Sequence, residues 1–289
     1  MAQTEAPINE VLAAGIILRS GWRGECPFVD PMCGSGTFLI EAALIAANIN
    51  PGIYRNGFAF EKWPDFDAGL LEEIYNDDSA ERRPPRPIMG GDIDPEAVMI
   101  ARKNIANARL GEYITVKCQS ISDWTENDPE GVLVMNPPYG ERLKPEKMEE
   151  LYREIGSCLK HNFKGWHAWI IGYRDEHFDA IRLKPSVKYR LLNGSLECSL
   201  REFVMFDGRY DDFRADGGSM GKERYTRERK EREERKRRKP AGEKPARAAK
   251  APRGDRREKT PRAPRANKAP KTPITPTDAP KPRTRRGWK

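Results

Sequence analysis

The chain has 289 residues, 33% of them charged, and a formal net charge of +8, a length that allows one large domain or two small ones. Its five cysteines (Cys26, Cys33, Cys118, Cys158, Cys198) are odd in number and lack paired spacing, and its three histidines form no ligand pattern with carboxylates. This argues against a disulfide framework or a metal site and for a reducing compartment. The apolar run 11–18 is too short to span a bilayer and has no basic lead-in for secretion, so a soluble cytoplasmic protein without a membrane partner is expected.

Residues 9 to 20 have helical spacing, with Ile8, Val11, Leu12, Ile16 and Ile17 on one face, and Gly21-Trp22 ends the helix. Phe28-Val29 then leads into Asp30-Pro31-Met32-Cys33-Gly34-Ser35-Gly36-Thr37, and 38–47 reads as a helix, so the glycines sit at a strand-to-helix turn. Such a turn holds a small polar ligand: Gly34 and Gly36 allow a sharp bend and a close backbone approach, and the helix start offers unpaired amide donors. A P-loop needs Gly-Lys-Ser/Thr, whereas Gly36 is followed by Thr37-Phe38, and a dinucleotide fingerprint needs a third glycine where Leu39 stands. Asp30 suits a ligand with a cationic or amino group better than a pyrophosphate. A glycine turn with no ligand is the plain structural alternative for this stretch taken alone.

Residues 48 to 87 read as a long polar connection carrying Arg55, Phe58, Phe60 and Trp63, then Arg82-Arg83-Pro84-Pro85-Arg86. Aromatics interleaved with arginine suit nucleic-acid contact, or equally a loop stapled to its own core. Pro87 to Asp92 looks like a second strand ending in a carboxylate, where a ribose would place its hydroxyls. Asp94, just before Pro95, reads as the N-cap of a helix over 96–108. Strands are expected at 114–118, 131–135 and 166–172, with a helix over 147–161 burying Met148, Leu151, Tyr152, Ile155 and Leu159. Candidates at 187–192 and 196–206 flank Asn193-Gly194-Ser195, the signal of an antiparallel hairpin. The sum is an α/β chain with an open, mostly parallel sheet and an antiparallel edge. Ligands of such sheets collect at the carboxyl ends of the strands.

Directly after the fourth strand stands Asn136-Pro137-Pro138-Tyr139. Two prolines hold the backbone extended and remove two amide donors, leaving the Asn136 side-chain oxygen and the Pro137 carbonyl to take both hydrogens of one planar amino group. Tyr139 adds a stacking surface, worth ~1–3 kcal/mol for a base. Past Gly218 the composition changes: residues 219–289 hold 27 Lys+Arg against 9 Asp+Glu and ten prolines, leaving 25 against 35 for residues 1–218. With almost no aliphatic residues, this basic tail is expected to be disordered and its cations to attract phosphates; a solubilising or tethering extension is the plainer alternative.

Residues 7 to about 206 resemble the catalytic domain of bacterial THUMP-containing class I methyltransferases that act on 23S ribosomal RNA at guanine N2. The segments that carry the resemblance are Ala6 to Glu10, Asp30 to Thr37, Gly91 to Pro95, Asn136-Pro137-Pro138-Tyr139-Gly140-Glu141-Arg142-Leu143 and Asn193 to Cys198. The resemblance implies a Rossmann-like methyltransferase fold of seven strands over 1–218 and S-adenosylmethionine as methyl donor. It also implies donor contacts at Asp30, Pro31, Cys33, Gly34, Gly36, Thr37, Asp92, Ile93 and Asn136, and catalysis by Asn136, Pro137 and Tyr139. Where such enzymes often place an acidic residue for the adenine amine this chain has Gln119-Ser120, so Ser120 and Asp123 are both candidates. The match begins near residue 6, so the THUMP RNA-capture domain is expected to be missing from the chain. Asn-Pro-Pro-Tyr also occurs in enzymes that methylate protein glutamine, and a non-catalytic RNA-binding or ribosome assembly factor is a reading of another class.

Overall fold

The computed structural model describes residues 8–55, 57–125, 128–138, 145–206, 208 and 215. Tyr139, the Gly140 to Leu143 extension and the basic tail lie outside the described residues. Helix α1 (Glu10–Ser20) starts where the Asn9 side chain accepts from the Val11 and Leu12 amides, and stops at Gly21, whose φ of 85° forms a left-handed cap. Strand β1 (Phe28–Asp30) leads through the glycine turn into α2 (Thr37–Ala47). The sequence then makes β2 (Ile88–Asp92), α4 (Pro95–Asn107) capped by Asp94, β3 (Ile114–Cys118), β4 (Gly131–Met135), α5 (Pro145–Asn162) and β5 (Trp166–Gly172).

The connection after α2 is more structured than its polarity suggests. It contains a 3₁₀ turn (Ala59–Lys62) and helix α3 (Ala68–Asn76), which is capped by Asp67 and buries none of its residues. Phe58, Phe60, Trp63 and Phe66 pack on one another, Phe58 and Phe60 stacked at 5.0 Å. The arginines at its end work internally: Arg82 donates to the Ala46 and Arg23 carbonyls, and Arg86 pairs with Asp128 at 3.0 Å. These contacts hold the connection to itself and to its neighbours, while Trp63 stays 65% exposed. Leu70, Leu71, Ile74 and Tyr75 recur at helical spacing, but the helix is short and the polar connection around it obscures it. Helix α6 (Asp175–Ala180) and the 3₁₀ turn Ile121–Asp123 were equally hidden.

All seven strands join in one sheet of order β3-β2-β1-β4-β5-β7-β6. The hairpin of β6 (Val187–Asn193) and β7 (Leu196–Val204) enters with its second strand inward, so β7 runs antiparallel to both β5 and β6 while the rest are parallel. Alternation along the strands divides the core. Phe28, Val132, Val134, Trp169 and Ile171 face the side of α1, α2 and α4, whereas Val29, Leu133, Met135, Ala168 and Ile170 face that of α5 and α6. No described helix is long and apolar enough to cross a membrane.

Candidate active site

The order of the sheet reverses between β1 and β4, the place where a crevice opens at the strand ends. Register fixes what lines it. Asp30 pairs with Gly90 on β2, and Val29 with Leu133 on β4. Asp92 and Asn136 therefore each stand two residues beyond the level of Asp30, on the strands either side of it. The glycine turn and the Asn-Pro-Pro segment open from one edge of the sheet.

The turn is bound to β2 by its backbone. The Cys33 amide donates to the Gly91 carbonyl at 2.8 Å, and the Gly34 amide to Asp92 Oδ2 at 3.0 Å. Asp92 Oδ1 accepts from the Asp94 amide, so each oxygen of this half-buried carboxylate holds one backbone donor and keeps lone-pair capacity for a hydroxyl. Gly36 has φ 84°, and a Cβ there would lie 3.3 Å from that of Ala101 on α4. Its glycine is thus required by the turn and by helix packing as well as by any ligand. As N-cap of α2, Gly36 offers no side chain, so the first amides of that helix have no cap.

Burial pushes the Asp30 carboxyl well above the usual carboxylate range; the Met32 amide opposes this and the Asp92 charge adds to it. A cationic ligand group nearby would draw it back toward the ionised form. The buried Cys33 thiol is pushed up by burial, then by Asp30 and Asp92, which disfavours its thiolate.

Asn136 opens the segment after β4. Its Oδ1 is buried and, among the described residues, accepts no hydrogen bond, and Pro137 beside it is buried. Buried polar atoms nearly always have partners, so this acceptor is open to a donor from a bound molecule. Pro31 and Thr37 are buried in the turn, and Ile93 exposes 73% of its surface beside Asp92. Ser120 accepts from the Ser122 amide as cap of its 3₁₀ turn, and Asp123 is exposed. Tyr139 cannot be placed against these groups because it lies outside the described residues. Among the described residues, no cluster of His, Cys, Asp and Glu is arranged to hold a metal ion.

Two contributors escaped the sequence reading. Asn104, 1% exposed on α4, donates to the Ser35 carbonyl and steadies the turn from below; an asparagine one turn after Ala101 on the buried face was the signal. Gly91 lets the Trp124 ring lie against the end of β2, where a Cβ would come within 2.9 Å of it. No pattern in the sequence connects those two.

A reversed-order sheet, a tied glycine turn and a carboxylate at the next strand tip define a Rossmann-like domain for a nucleoside-bearing ligand. The family model described as RMKL-like, methyltransferase domain (UPF0020) matches residues 1–202, and the chain belongs to this methyltransferase family. It is 36% identical over 208 residues to the ribosomal RNA large subunit methyltransferase K/L of Shewanella frigidimarina, covering 70% of this chain and 29% of that protein. A relative from Synechocystis sp. is 37% identical over 204 residues, 70% of this chain and 53% of its own. The chain thus spans about half, or less than a third, of these relatives. The solved structure of SMU.472 in complex with SAH superposes with a TM-score of 0.66 at 40% identity, covering 72% of this chain and 55% of that one.

Proposed function

We propose that residues 1–218 form the catalytic domain of an S-adenosylmethionine-dependent RNA methyltransferase that acts on an exocyclic amino group, guanine N2 of 23S ribosomal RNA. The observation that carries this reading is the buried, unpartnered Oδ1 of Asn136 at the same sheet edge as Asp92 and the glycine turn. The family supports the methyl donor, the SAH held by SMU.472 supports its site, and the Shewanella relative's name supports ribosomal RNA of the large subunit.

When bound, S-adenosylmethionine supplies an electrophilic methyl group on a sulfonium. The residues present fit such a ligand. Asp92 keeps acceptor capacity for two hydroxyls, the uncapped start of α2 and the bend at Gly34 suit its amino-acid end, and Asp30 waits below. On the acceptor side, Asn136 Oδ1 and the Pro137 carbonyl take the two hydrogens of the substrate amine. Those bonds draw the nitrogen out of conjugation with its ring and direct its lone pair, so alignment supplies much of the acceleration. The nitrogen becomes acidic on alkylation and releases its proton to water, so no strong base is required. The base must be unpaired or flipped to reach this edge.

Replacing Asn136 with Ala is expected to abolish transfer of labelled methyl to unmodified 23S RNA while calorimetry still shows S-adenosylmethionine bound at the glycine turn and Asp92. Full activity in that variant would refute the assignment. Label appearing in a release factor instead of RNA would move the substrate to protein glutamine.

A further inference from the structure

The parallel register carries the active edge past β4. Met135 pairs with Ile170, so Pro137 stands level with Gly172 and Tyr173-Arg174 follow on β5's side at the height of Pro138. The antiparallel register extends it once more. Gly172 pairs with Ser199 and Asn193 with Leu196, so the hairpin tip at Gly194-Ser195 projects beyond the same end. Tyr173, Leu192 and Leu196 are exposed there to 37%, 64% and 40%.

Among the described residues neither Tyr173 nor Arg174 makes a side-chain hydrogen bond or ion pair, and the backbone beneath them is tied down. Asp175, the next residue, takes Arg201 Nη2 at 2.6 Å and also Lys188, which ties the start of α6 to the hairpin. The Arg201 guanidinium lies 4.0 Å over the Phe178 ring, and a Cβ on Gly172 would meet that ring at 2.8 Å, so the backbone below Tyr173 is wedged in place. Arg174 itself is exposed and sits 5.8 Å from the centroid of the Tyr173 ring. Among the described residues it has no carboxylate within ion-pair distance, whereas Lys188, Arg190 and Arg201 each have one. An aromatic face beside an unneutralised guanidinium, fixed at the lip of an amine pocket, has the chemistry of a nucleotide: the base stacks and the phosphate pairs.

We propose that Tyr173 and Arg174 bind the unpaired nucleotide adjacent to the one that is methylated. This rests on the RNA reading above. Both are positioning residues, remote from the transferred methyl group. They act on capture and orientation of the strand.

The test uses the full chain, an unmethylated 23S RNA transcript and steady-state methyl transfer, with thermal melts to show that each variant is folded. Tyr173→Ala is expected to raise KM for RNA about tenfold, within the range of one lost base stack, with kcat and the KM for S-adenosylmethionine nearly unchanged. Tyr173→Phe keeps the ring and is expected to restore the wild-type KM. Arg174→Gln is expected to weaken RNA binding and lower the slope of log affinity against log salt by about one. If the wild type methylates the transcript while folded Tyr173→Ala and Arg174→Gln variants keep its KM, the platform is overturned and the RNA reading stands. If the wild type transfers no methyl to RNA, the RNA reading fails and this proposal with it.

Discussion

Glu41 on α2 is half-buried, and burial first, then the charge of Glu10 on α1, pushes its carboxyl from 4.5 up to about 7. Because the folded value exceeds the unfolded one, the folded state binds this proton more tightly; its contribution is greatest below pH 4.5, falls up to about pH 7 and stays low above. Glu41→Gln keeps the shape and removes the ionisation. It is expected to be more stable than the wild type at pH 8, on the order of 2 kcal/mol, with the advantage gone near pH 4.5; urea titrations at the two pH values check this. Asn136 was readable at this scale, because asparagine before two prolines leaves acceptors and removes donors whatever surrounds it. That its oxygen is buried without a partner is a tertiary fact.

Elements show the same division. Strands β3, β4 and β5 fall at the residues expected, β4 and β5 because apolar runs bounded by turn residues have few other fates and β3 because Ile114 and Val116 alternate with Thr115 and Lys117. Helix α6, six residues long, gave no such signal, yet it fixes the lip beside the site. The close approach of α5 to α6 was also invisible. A Cβ on Gly156 would lie 2.1 Å from the Ile181 carbonyl oxygen, a backbone atom that cannot turn aside. Gly156→Ala is therefore expected to cost about 1–3 kcal/mol of stability, read as a lower midpoint in thermal unfolding; an unchanged midpoint would show that the two helices can separate freely.

For the whole molecule, charge sets a problem that topology does not solve. Residues 1–218 carry 25 Lys+Arg against 35 Asp+Glu, and within 61–81 eight carboxylates face one lysine, an unpromising surface for RNA. We propose that residues 219–289 meet this need through phosphate attraction. Ending the chain at Gly218 is expected to lower RNA affinity and flatten its dependence on salt; equal slopes for the two lengths, measured by fluorescence anisotropy across a salt series, would remove the tail as an RNA contact. The amino-acid order by itself determined the strand-to-helix turn, the carboxylate at the second strand tip, the asparagine-proline acceptors and the polarity of the tail, because each depends on neighbours within a few positions. Only the tertiary structure decided that β7 enters the sheet ahead of β6, that Asp92 and Asn136 stand on either side of Asp30, each two residues beyond its level, and that Tyr173-Arg174 and the hairpin tip share that edge. Register between strands is set by packing across distant segments, and no local pattern carries it.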